Sequence, residues 1–177
     1  MAGNITLKRD ATSTITTTNL VSASAASQTL VGGWTSTGVT SATSNAVDFE
    51  ISGVIRVAAA NNQAGTIAIY VIPALNDTPT WPTAVSSGTF GTESATPVVF
   101  ADTNHRDSIA VLLKAISCTA TASASYEFSG ASIAAAFGGT PPSNWCLWIT
   151  NNATTTTTTG FQATCALYYQ AVYAQYT

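Results

Sequence analysis

Few side chains in this sequence have the means to do chemistry, and spacing decides each case. His105 is the single histidine and lies in Asp102-Thr103-Asn104-His105-Arg106-Asp107, the most charged stretch of the chain. An imidazole beside a carboxylate can serve as a general base. The same residues also describe a turn with a surface histidine, and that is the expected reading, because a motif fragment specifies nothing without its partners. Zinc deaminase, zincin and facial-triad sites need a second histidine, or a histidine with clustered cysteines. Neither pattern occurs here.

Gly130-Ala131-Ser132-Ile133-Ala134 approaches a nucleophile elbow with its last glycine replaced. An elbow of that kind needs an acid and then a histidine later in the chain. His105 precedes Ser132, and no Asp or Glu follows Glu127. Cys118, Cys146 and Cys165 sit in apolar runs, with nothing adjacent to lower a thiol pKa. An odd cysteine count without C-x-x-C excludes a zinc ribbon or redox pair. All three are expected to be reduced and buried, in a protein made in a reducing cytoplasm.

Asp48 and Glu50 share one strand face, about 6–7 Å apart at an i, i+2 spacing. Such a pair can hydrolyse glycosides or bind calcium, but Arg56 on the same face points to structural ion pairing. Gly32-Gly33 and Gly138-Gly139 lack the lysine and the strand–turn–helix setting of a phosphate loop. The expectation is a protein that is not an enzyme and needs no cofactor and no metal. Trp34, Trp81, Trp145 and Trp148 remain, as a sugar-stacking platform or as interface anchors. Trp145 and Trp148 have opposite strand parity, which would leave one in the core and one exposed.

Composition narrows the setting. Of 177 residues 46% are hydrophobic and 7% charged, with net charge -3. That supports one domain with a real core and argues against disorder. Five Lys+Arg make no basic patch, so no nucleic acid is expected as a partner. No run approaches a membrane span of about 18 apolar residues, and Met1 to Asp10 lacks the apolar core of a signal peptide. Globular proteins carry about 25% charged residues. Ser, Thr, Asn and Gln must therefore cover this surface, and they cost less to desolvate than Lys or Glu. The pattern favours a subunit packed against other chains.

Those residues need strands to hold them. Residues 1–18 read as an extended, Thr-rich arm that a lone domain would not hold down, followed by a domain over 19–177. Val47, Phe49, Ile51, Ile55 and Val57 alternate with Asp48, Glu50, Ser52 and Arg56, with Gly53 marking a bulge or close backbone approach. A turn at 61–65 and a strand over 66–72 make the second half of an apparent hairpin. The Pro/Gly-rich stretch 73–97 is long enough to be functional or to lie against a neighbour. A short strand over 98–100 follows, and 108–117 reads as a buried strand or short helix.

Cys118 to Phe128 alternates strictly and is expected to form one strand. Residues 130–137 read as a short helix, capped by Ser129 or Ser132 and ended by Gly138-Gly139. Trp145 to Ile149 forms a strand that ends at Asn151-Asn152 and the threonine turn 154–159. The last strand, Phe161 to Tyr176, carries a second face of Ala166, Tyr168, Val172 and Tyr176 that is too apolar for open water. About eight strands, one short helix and long loops suggest an all-β, jelly-roll-type sandwich, with an immunoglobulin-like sandwich as runner-up.

Three segments carry a family resemblance. Tyr126-Glu127-Phe128-Ser129-Gly130, Ile133 through Pro142, and Trp145 through Asn152 resemble tailed-phage virion proteins. So do the Thr-rich arm and Tyr168-Tyr169-Gln170-Ala171-Val172-Tyr173. The class most resembled is the capsid decoration, or cement, proteins with a jelly-roll fold. The resemblance implies a homotrimer on the outer capsid surface of a virion, made in the host bacterium and stapling copies of the major capsid protein. On this reading Ile5, Leu7, Lys8, Arg9 and Ile15 bind the capsid as an ordering arm, and Tyr168, Val172, Tyr176 and Trp81 form the subunit interface. The alternatives are a carbohydrate- or receptor-binding module of a phage fibre, and a tail or baseplate component.

Overall fold

Strict alternation makes the strand at the centre of the first sheet. In β5 (Asp48–Arg56) Phe49, Ile51, Gly53 and Ile55 are buried, while the residues between them are only partly covered. The computed structural model describes residues 4–23, 29–40, 45–59, 64–153 and 160–176. The turn expected at 61–65 falls largely outside them, as does the threonine turn at 154–159.

Twelve strands among the described residues form two sheets. The first sheet runs β1 (Ile5–Arg9), β12 (Ala166–Tyr176), β5, β10 (Ser125–Ser132), and β2 (Ser13–Ile15) also pairs with β12. The second is built on β3 (Gly32–Thr35), β11 (Asn144–Asn151), β6 (Gly65–Pro73) and β9 (Val111–Cys118). Short β4 (Val39–Thr40), β7 (Val85–Ser87) and β8 (Val98–Phe100) extend it. With β1 and β2 counted as one interrupted strand and the short strands set aside, the sheets read first-eighth-third-sixth and second-seventh-fourth-fifth in chain order. That double Greek-key order is a jelly roll.

The expected arm is the first strand of this sandwich, so the division at residue 18 is corrected. Residues 5–9 pair antiparallel with 176–172, and 13–15 with 169–167. Three residues of this N-terminal strap, the former arm (10–12), thus oppose two of β12 (170 and 171), which is a β-bulge. Opposed residues share a face, so the extra residue reverses which parity points inward. Ile15 faces the core opposite Leu167, whereas Ile5, Leu7 and Arg9 face outward opposite Tyr176, Ala174 and Val172.

The expected hairpin of β5 and β6 is also corrected. They lie in different sheets: β5 pairs with β12 and β10, and β6 with β11 and β9. The single strand expected over 118–128 is two strands, one in each sheet, joined by a corner at 119–124. Its apolar positions through that corner are Ala120, Ala122 and Ala124, whose methyl groups supply too little burial to hold a continuous strand. Ser123 takes a positive φ of 59° at that corner, and Tyr126 Oη accepts from Thr119 N–H at 2.9 Å. After the single turn α1 (Leu20–Ala23), residues 102–110 form α2 (Thr103–Ile109) where a turn was expected, and β9 is a largely exposed strand. The short helix survives as one turn, α3 (Ile133–Ala136), with Ser132 as its N-cap and Gly138 and Gly139 at positive φ beyond it.

Two cores result. Between the sheets pack Phe49, Ile51, Ile55, Ile67, Ile69, Val71, Leu147, Ile149 and Leu167, with Trp145 in edge contact with Phe49 at 5.4 Å and Tyr169 at 5.8 Å. On the outer side of the second sheet Tyr70, Ile72, Cys146 and Trp148 lie under Phe90, Val98 and Phe100, supplied by the 74–110 excursion. Trp145 and Trp148 therefore do point to opposite faces, but neither is exposed. Trp34, a candidate for stacking or anchoring, is fully buried in β3.

Candidate functional site

The outward face of the first sheet collects the exposed hydrophobes of the strap and the last strand. Ile5 is 60% exposed, Leu7 66%, Tyr176 77% and, further along β12, Tyr168 37%. Ile5 stands opposite Tyr176 and Leu7 opposite Ala174, so the first three form one strip. Val172 is buried although it shares this face. It lies between Arg9 and Asp48 in register. Arg9 reaches across β12 to Glu50, with Nε donating to Oε2 at 2.8 Å and Nη2 to Oε1 at 2.6 Å. The guanidinium bond holds the Glu50 carboxyl below its ordinary value and raises that of Arg9. A groove of about 340 Å³ continues the face past Tyr168, between Val54, Glu127 and Ser129.

This geometry divides the predicted site residues. Ile5 and Leu7 are free to meet a partner; Ile15 is a core residue and Arg9 a strap-to-sheet tie. Lys8 is exposed opposite Tyr173, on the other parity from Leu7. Tyr168 and Tyr176 stand on the outward face of the first sheet, whereas Trp81 packs on the outer core of the second. The four residues expected in one interface therefore occupy opposite sides of the sandwich, and Val172 offers no surface.

The candidate chemical groups are held by structural bonds. Asp102 caps α2, accepting from His105 N–H at 2.9 Å and contacting His105 Nδ1 at 2.9 Å. The backbone bond, then the ring, hold its carboxyl below the ordinary value. Arg106 donates to Asp107, to Thr29 O and to Leu30 O, and lies over the Tyr70 ring. Ser132 Oγ donates to Asp48 Oδ2 at 2.6 Å and accepts from Ala135 N–H; Asp48 Oδ1 accepts from Ala134 N–H. Asp48 is thus tied to α3 and Glu50 to Arg9, while Arg56 bonds Thr164 Oγ1 at 3.4 Å, which corrects its expected partnership.

The three cysteines are free and buried, and burial pushes the Cys146 thiol up to about 12. Among the described residues no three His, Cys, Asp or Glu side chains gather as metal ligands. No described helix is long and apolar enough to cross a membrane.

Sequence reading missed Glu93. From the 73–97 stretch it accepts from Asn19 N–H at 2.6 Å, Asn19 Nδ2 at 2.7 Å and the buried Trp34 Nε1 at 3.2 Å. No local pattern marks a lone glutamate as a partner for a residue 74 positions away. The same stretch exposes a furrow beside Trp81, edged by Thr83, Ser86, Ser87 and Thr89. Set against protein-family models, curated protein sequences and solved structures, the chain matches none.

Proposed function

We propose that this protein is a non-catalytic structural subunit of a virion, a capsid decoration protein that binds the major capsid protein and stabilises the assembled shell. The observation that carries the reading is the strip of Ile5, Leu7 and Tyr176 on the outer face of the first sheet. Three adjacent large side chains, each at least 60% exposed, leave apolar area that a partner's surface would cover at a gain of roughly 25 cal/mol per Å². A surface of neutral hydroxyls around it costs little to desolvate. The jelly-roll order agrees with the class that the sequence resembles. Contact comes from a docked strand, and the capsid would read its outward residues without any unfolding of the strap. A homotrimer remains the expected assembly, with Tyr168 at the other end of the same face.

Shells prepared without the protein test this. The purified chain is expected to co-sediment with them and raise their melting temperature, since a ligand of the assembled state alone stabilises it by mass action. Leu7→Asp with Tyr176→Asp should weaken co-sedimentation at least tenfold while leaving the circular dichroism spectrum unchanged. Failure of the wild type to bind shells, or binding that the double variant retains, removes the proposal. Light scattering of the free and shell-released protein reads the trimer.

A further inference from the structure

We infer that the furrow beside Trp81 is a binding site for a neutral oligosaccharide, on the side of the sandwich away from the proposed shell-binding face. The inference stands apart from the shell-binding reading and rests on different residues.

Trp81 is the one tryptophan that keeps surface; Trp34, Trp145 and Trp148 are fully buried. Its ring is also held in place. Gly38 N–H donates to Gly91 O at 3.0 Å, joining two distant segments into a backbone seat. A Cβ on Gly38 would come within 2.6 Å of Trp81 Cζ2, and one on Gly91 would overlap the ring at Cε2 and Nε1. Gly91 also has a φ of +75°, which an L side chain rarely adopts. Both glycines thus give up a side chain where the indole lies. A ring fixed in this way loses little freedom when a ligand stacks on it.

The furrow that Trp81 borders has a volume of about 360 Å³, within the range of small-molecule sites. A second depression of about 360 Å³, edged by Thr92, Ser94 and Thr96, shares Gly88 and Thr89 with it. Among the described residues no charged side chain lines either one. Two of the hydroxyls are oriented beforehand. Ser86 Oγ donates to Val99 O at 3.1 Å, which leaves its lone pairs to accept. Ser94 Oγ accepts from Thr96 N–H at 3.1 Å, which leaves its proton to donate.

That chemistry selects its ligand. A cation or anion finds no counter-charge along the furrow, and a purely apolar ligand would strip water from hydroxyls without replacing their hydrogen bonds. A pyranose ring meets both demands, with an apolar C–H face for the indole and hydroxyls that donate and accept. Two depressions that share Gly88 and Thr89 offer an oligosaccharide more contact than a single sugar.

The test uses the full chain and an array of neutral oligosaccharides, with each bound glycan titrated by calorimetry in wild type and variants, and by tryptophan fluorescence in the wild type. Binding of at least one neutral glycan is expected, with a shift in emission. Trp81→Ala should weaken it at least tenfold and Thr89→Val several-fold, while Leu7→Asp on the opposite face leaves it unchanged. Trp81→Phe, which keeps an aromatic face, should retain part of the affinity and shows that any loss in Trp81→Ala is not misfolding. No neutral glycan bound, binding confined to charged glycans, or affinity untouched by Trp81→Ala and Thr89→Val overturns the inference.

Discussion

The two sheets meet the same difficulty on their outer faces and resolve it differently. The outer face of the second sheet presents Tyr70, Ile72, Cys146 and Trp148, and the chain spends residues 74–110 covering it. Phe100 stands edge-on to Trp148 at 5.0 Å, Phe90 backs Phe100 at 5.4 Å, and Arg106 pins α2 over Tyr70. The outer face of the first sheet has no such roof. The Arg9–Glu50 pair crosses β12 beside the buried Val172, and Ile5, Leu7 and Tyr176 stay in solvent. An apolar face that a chain covers itself is a matter of stability, and one it leaves open is available to a partner. The difference is what leads the proposal to place association on the first sheet, and it leaves the roof of the second free to carry a furrow.

Removing the strap should break this comparison most severely. Deletion of residues 1–18 takes away the first jelly-roll strand, bares the β12 edge and empties the Ile15 site. Loss of cooperative thermal unfolding is expected; a deletion variant with wild-type melting would show that the strap is not part of the sandwich. Phe100→Ala comes next, at about 3–5 kcal/mol for a buried aromatic truncated in a core. Hydrogen exchange should then rise in 74–110 while the β12 amides stay protected. Uniform acceleration across both sheets would mean that roof and sandwich are one unit.

Within the strap, Ile15→Ala is expected to cost about 2–5 kcal/mol. Leu7→Ala should stay within about 0.5 kcal/mol by urea denaturation. Equal costs would contradict the bulge at 10–12 that turns one inward and the other out.

That bulge also explains what could and could not be read from residues alone. Alternation over Phe49, Ile51 and Ile55 located β5 and its inner face, and Gly53 was rightly suspected of a close approach: a Cβ there would stand 2.6 Å from Ala166 O. Ser132 and Gly138-Gly139 marked the ends of α3 because caps act over three or four residues. Ile5, Leu7 and Ile15 share parity, so no periodicity argument could send them to opposite faces. Nor could it show that a threonine-rich segment would find the β12 edge, since edge pairing is carried by backbone hydrogen bonds that any sequence offers. α2 was hidden for a related reason: none of its residues is buried, so it has no apolar period, and Asp102 as N-cap is its main signal. Partner choice was the least legible. Arg56 neighbours Glu50 in sequence terms, but the fold brings Arg9 from 41 residues away.

The Arg9–Glu50 tie provides the smallest and most selective test of how the open face is kept. The Glu50 carboxyl is held low by its bond to Arg9, with partial burial opposing the shift. A carboxyl whose folded pKa lies below its unfolded one contributes stability above the unfolded value, about pH 4.3 for glutamate, and loses that contribution as pH falls through the folded value. Both side chains are accessible to solvent, so screening keeps the effect slight. Arg9→Gln should therefore lower the melting temperature slightly near neutral pH, where the contribution is full, and by less as pH falls below about 4. It should also loosen the pairing beside Val172, seen as faster exchange at the Val172 and Arg9 amides with no change at Leu167. If the variant matches the wild-type melting temperature at every pH and Val172 stays protected, the pair is a passive contact. The outer face of the first sheet would then be held by strand pairing alone.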